Sequence, residues 1–177
     1  MTKKHLFFLL LTIFSATACN KQQSKLQEIK KLENELLADI SKMDKAKAAV
    51  LVKKSQEYAL AYPDDSTSAR VLFRAADVAR GIGDFPNAMK MWNEIQYNYA
   101  SSKYAAESLF LQGFTYENDL QNKDKAKECY LKFLNLYPNH DLNHDITMAL
   151  KNIDIPIEEL IKQFEANNKK EIEGQAK

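Results

Sequence analysis

Cysteine occurs only twice in this chain, at Cys19 and Cys129, and glycine and proline four times each. Two cysteines cannot build a disulfide framework. So few backbone breakers in a sequence that is 45% hydrophobic fit a compact helical protein of 177 residues, with disorder expected only at the ends. Charge of one sign is not in excess either. The formal net charge is +1, which favours neither nucleic acid nor an anionic membrane surface as a partner. The one nearly unbroken apolar run, Leu6 to Phe14, is far shorter than the roughly 20 residues of an ordinary transmembrane helix. Also missing are a Gly-x-Ser-x-Gly elbow, a glycine-rich phosphate loop and a Cys-x-x-Cys pair, so the chain is expected not to be an enzyme and to need no cofactor.

What is present begins at the N-terminus. Lys3-Lys4, the apolar run and the small residues Ser15-Ala16-Thr17-Ala18 stand in the order of a secretory signal that is cleaved. Without those two lysines the mature chain carries 23 basic against 24 acidic residues. Ala16-Thr17-Ala18-Cys19 resembles the lipobox of bacterial lipoproteins, with Ala16 in the place of the usual Leu. The resemblance implies a signal peptide over residues 1–18 and acyl chains, palmitate among them, on the Cys19 thiol. Two or three such chains at ~0.8 kcal/mol per buried methylene make a permanent anchor. Asn20 is not the Asp of inner-membrane retention, and Lys21-Gln22-Gln23-Ser24-Lys25 is not an acidic export cluster. By resemblance to lipoprotein sorting, the expected location is the outer membrane, facing the periplasm. Cys129 then has no partner for an intrachain disulfide and is expected to be a buried thiol in an apolar stripe.

The body of the chain is periodic. Tyr62-Pro63, Tyr99-Ala100 and Tyr137-Pro138 end three helical segments 37 and then 38 residues apart. A period of that length is one helix-turn-helix, which buries its apolar stripe only by stacking on its neighbours. Leu26, Ile29, Leu32, Leu36 and Ile40 predict a helix from Lys25 to about Ile40, and Ser41 with Asp44 a capping box before the next, which runs to Tyr62. Helices are predicted over about 66–80, 85–98, 102–118 and 123–137, with Gly81-Ile82-Gly83-Asp84 as the first internal turn. Asp141 is expected to cap a helix to about Ile153, and Ile157 to Phe164 a last helix. The polar tail 166–177 is expected to be disordered. The domains expected are thus 19–43, a tether and N-terminal helix, and 44–165, a helical repeat.

Leu72, Ala76, Ala79, Ala88 and Trp92, and then Leu109, Gly113, Tyr116, Ala126, Tyr130 and Pro138, resemble the small-and-large pattern of tetratricopeptide repeats. Ala76, Ala79 and Ala100 depart from the family's usual Gly, aromatic and Pro. The resemblance implies an all-α, tetratricopeptide-like helical repeat (α-solenoid) with flanking capping helices. It further implies protein binding without catalysis. The 37 to 38 residue spacing looks like the family's envelope branch, which includes the Tol-Pal-associated cell-division coordinator and the lipoprotein of the outer-membrane barrel assembly machinery. Carried over by position, the partner-binding groove is lined by Arg70, Phe73, Asp77, Arg80, Glu107, Phe110, Phe114 and Glu117. The alternative is that the chain's own terminal helices already cover that face.

His140 and His144 are four apart, but lack the further ligands a metal site needs, so no metal is expected. The partner expected is another envelope protein or peptide segment. Alternatives are a peptidoglycan-contacting regulator, an accessory subunit docked by its convex face, and self-association through the Leu26 to Ile40 stripe. For the N-terminus, Cys19→Ala is expected to leave the domain's melting temperature unchanged while releasing the protein from the membrane fraction. Tight membrane retention of that variant would rule out lipid as the main tether.

Overall fold

The computed structural model describes residues 3–38, 43–156, 158–159 and 161–162, with side chains from residue 20 onward. Among the described residues the regular structure is helical, with seven helices of ten residues or more, and no strand occurs. This is the all-α helical-repeat class that the period predicts. Ser41, Leu160, Phe164 and the tail 166–177 lie outside the described residues, as does the Cys19 side chain. No helix among the described residues is long and apolar enough to cross a membrane.

The chain divides into two compact units, residues 1–108 and 109–177. In the first, α1 (Lys3–Leu37) packs on α2 (Lys45–Ala61), α2 on α3 (Ser66–Gly81), and α3 on α4 (Phe85–Asn98). The helix expected to begin at Lys25 instead runs without interruption from Lys3, through Cys19, and stops at Leu37 rather than Ile40. The physical reason is that neither Gly nor Pro occurs before Pro63, so nothing in the backbone chemistry stops it. α1 is also no free tether. Its Ile29 and Leu36 are buried in one cluster with Ala48, Leu51 and Tyr58 of α2 and Val71 and Val78 of α3. The stripe that was a candidate for self-association is therefore spent within the chain.

A single carboxylate ties these three helices together. Asp65 caps α3 by accepting from the Thr67 N–H at 2.8 Å and the Thr67 hydroxyl at 2.8 Å. Its second oxygen accepts from Gln22 of α1 at 2.7 Å and from the fully buried Tyr58 hydroxyl of α2. Burial pushes this carboxyl upward, but the bonds from Tyr58, Thr67 and Gln22 outweigh it and hold Asp65 at about 2.

Capping elsewhere follows the sequence with some shifts. Asp44 itself, rather than a Ser41 box, starts α2, accepting from Ala46 and Lys47 at 2.9 and 3.1 Å. Asp84 caps α4 as expected, after Gly83 turns the chain at φ +82. Where α3 packs on α4, Ala75, Ala76 and Ala79 of α3 and Ala88 and Trp92 of α4 have no exposed surface.

The second unit holds the rest of α5 (Tyr104–Asn118), with α6 (Lys123–Leu136) and α7 (Asn143–Asn152). A Cβ at Gly113 of α5 would stand 2.6 Å from the Tyr130 ring of α6, so the helices approach as closely as only Gly permits. Asp141 does not cap α7. That helix begins two residues later without a side-chain cap, and the His140 ring accepts the Leu142 N–H at 3.2 Å instead.

Asp65→Ala is expected to cost roughly 2–4 kcal/mol, as the sum of a lost cap and a buried Tyr58 hydroxyl left without its acceptor. Because the folded carboxyl titrates below its ordinary range, its contribution is present above about pH 4 and falls away as the pH drops toward 2. Denaturant melts of both proteins between pH 7 and 2 should therefore converge at the acid end. A constant gap would disprove the carboxylate's role.

Candidate functional site

In the first unit the first two turns of α3 and the α4 to α5 connection enclose a cleft of about 580 Å³. Thr67 and Arg70 form one wall, and Tyr99, Ser102, Lys103 and Tyr104 the other. Local chemistry explains its form. Tyr99 caps the end of α4 through its N–H to Ile95 at 3.0 Å, and its carbonyl accepts from Ser102 at 2.9 Å, so the chain turns tightly into α5. Tyr104, the first residue of α5, then meets Phe73 of α3 with ring centroids 5.1 Å apart, while the Lys103 ammonium lies 5.3 Å over the Tyr104 ring. The Gln96 amide donates to the Ala105 carbonyl and fixes the connection from behind.

Five positions named from the sequence lie in the first unit, Arg70, Phe73, Asp77 and Arg80 on α3 and Glu107 on α5. Arg70 lines the cleft, but its Nη1 donates to Glu33 of α1 at 3.2 Å, and Glu33 is only 6% exposed. The N-terminal helix therefore covers the α3 face at Arg70. Phe73, on the same helix, does not line the cleft itself, but its ring packs against Tyr104, which does. Asp77, one turn on, is half-buried, with Arg74 and Arg80 of its own helix and Glu107 of α5 close enough to act on it. Burial raises its carboxyl most, Arg74 and Arg80 pull it down, Glu107 raises it again, and the outcome is about 6. Glu107 is exposed.

The remaining three belong to the second unit. Phe110 and Phe114 do share one helix face, their centroids 6.0 Å apart, and Phe110 also stacks on Tyr130 at 6.4 Å. Glu117 accepts from the Tyr130 hydroxyl at 2.7 Å. Burial and then Glu117 push that hydroxyl above its ordinary range, so it stays a donor. Both rings are half-buried, so they serve packing as well as surface.

Sequence reasoning missed Tyr99, Lys103 and Tyr104. The aromatic residues were visible, but Tyr99 was read as a helix terminator and Tyr104 as part of a helix start. His140 packs edge-on against Phe133 at 5.2 Å, and no group of three or more His, Cys, Asp or Glu among the described residues is placed to hold a metal. Cys129 is half-buried, and burial lifts its thiol to about 11, which leaves it protonated and inert at neutral pH.

Compared with known families, residues 107–140 match the tetratricopeptide repeat. This segment is the α5–α6 pair. The match supports the tetratricopeptide-repeat reading of the chain and, with it, a protein-interaction scaffold. No curated protein and no solved structure matches the chain.

Asp77 gives a pH test of the α3 face. Its folded carboxyl binds a proton more readily than the unfolded one, so stability is highest below about pH 4 and is lost as the pH rises through 6. Asp77→Asn is expected to raise stability by about 1–3 kcal/mol at pH 7.5 and to change little near pH 4. Equal effects at both pH values would exclude a raised carboxyl.

Proposed function

We propose that this chain is a lipid-anchored scaffold on the periplasmic face of the outer membrane, which positions an envelope protein by holding an extended segment of it. The observation that carries the binding part is the cleft between α3 and the start of α5. Lys103 supplies positive charge, the Arg70 guanidinium is shared with Glu33, and Tyr99 and Tyr104 supply aromatic surface. Such a surface orients a peptide without chemistry acting on it, because aromatic anchors give affinity and charged neighbours fix register.

The anchoring part rests on the order of residues before Cys19 and on the path of α1. Gln22, three residues beyond Cys19, is already bound to Asp65. At about 1.5 Å of rise per residue, lipid on Cys19 would lie roughly 4.5 Å along the helix from this contact. The turn between α2 and α3 would then sit at the membrane surface, and the lipid would fix orientation as well as location.

A photo-crosslinking residue at Ser101, beside the cleft, tests this in living cells. One defined envelope protein is expected to be captured from that position and not from Asn139 in the second unit. Equal capture from both positions, or capture of peptidoglycan fragments alone, would overturn the proposal.

A further inference from the structure

A second concavity lies on the other helix of each early repeat, between α2 and α4, with a volume of about 610 Å³. Its walls repeat. Lys53, Glu57 and Leu60 of α2 recur as Lys90, Glu94 and Tyr97 of α4, each 37 residues on, the same step that separates Tyr62 from Tyr99. The groove therefore carries a band of lysines, then a band of glutamates one turn later, then an apolar band. Leu60 and Tyr97 are each 83% exposed, the highest values among the exposed large apolar residues. The Lys53 ammonium lies 3.9 Å from Glu57 on its own helix, both side chains largely exposed, so little holds either in place.

One step further along the sequence the order of charge reverses. The equivalent positions of α6, 38 residues after those of α4, are Glu128, Lys132 and Asn135. All three are exposed, as are Leu131 at 58% and Leu136 at 49%, while α6 buries its opposite side through Ala126, Tyr130 and Phe133. Through Glu128, Lys132 and Leu136 this helix presents acid, base and apolar surface in the order that matches the groove, with Leu131 between the first two. Its Glu128 to Leu136 spacing of eight residues, roughly 12 Å, is close to the seven residues, roughly 10.5 Å, from Lys53 to Leu60.

We propose that the α2–α4 groove receives α6 of a second copy of this chain, laid parallel to the groove helices. Glu128 sits between Lys53 and Lys90, Lys132 between Glu57 and Glu94, and Leu136 covers Leu60 and Tyr97. Exposed ion pairs contribute little individually, so the apolar contacts supply affinity and the charge bands set register and direction. The association uses neither the α3–α5 cleft nor the lipid, and so stands apart from the proposed scaffold role.

Sedimentation equilibrium of the full chain in detergent micelles tests it. The wild-type protein is expected to associate with rising concentration, and Lys53→Glu with Lys90→Glu to weaken this about tenfold. Adding Glu128→Lys to that double variant should restore association. Leu60→Ala with Tyr97→Ala, which removes only exposed surface, should abolish it with no change in thermal melting. A wild-type chain that stays monomeric overturns the proposal. So does association that ignores the groove charges, as contact through the N-terminal segment would, and so does failure of Glu128→Lys to rescue.

Discussion

The Asp65 carboxylate is the point on which the first unit depends, because it gathers at one place donors from three helices that otherwise share apolar contacts and single ion pairs. Apolar packing is tolerant of sliding, and one ion with four directed bonds is not. By accepting from Gln22, Tyr58 and Thr67, Asp65 fixes the axial register of α1 on α2 and the starting point of α3. Everything downstream in that unit inherits this register. The position of Arg70 relative to Glu33, and of Phe73 relative to Tyr104, follows from where α3 begins.

Given that register, the alanines of α3 decide how closely α4 can approach. Ala75, Ala76 and Ala79 present no side chain beyond Cβ, which lets α4 pack close, and Trp92 of α4 is fully buried. Gly113 does the same for Tyr130 in the second unit with one atom less. The large ring is placed on the second helix of each pair and the small residue on the first. This division leaves the outer positions of α2, α4 and α6 free to vary, and there the charge bands appear.

The two surfaces of the first unit differ in kind. The α3–α5 cleft combines exposed residues with half-buried ones whose positions are set by helix caps and ring contacts. Further along α3, burial raises the Asp77 carboxyl to about 6 against the pull of Arg74 and Arg80. The α2–α4 groove is built from exposed side chains on rigid helices, where affinity comes from area and specificity from charge order. Holding a segment in the first and a second copy in the second, as proposed, would separate recognition from assembly.

The sequence by itself determined the helical class, the repeat step and most helix ends, because these follow from local chemistry. Periodicity, Tyr-Pro stops, Asp84 and the glycine at 83 act within a few residues of where they stand. It also showed which helix faces are apolar. Only the tertiary structure decided what those faces meet. That α1 extends back through Cys19 was hidden because no breaker marks a boundary where a cleavage signal does. That Arg70 is engaged by Glu33 was hidden because the two are 37 residues apart, and nothing local pairs them. Tyr99, Lys103 and Tyr104 could not be recognised as a wall until the turn after α4 brought them opposite α3. A groove is a relation between helices, and relations at that distance are fixed by packing rather than by neighbours in the chain.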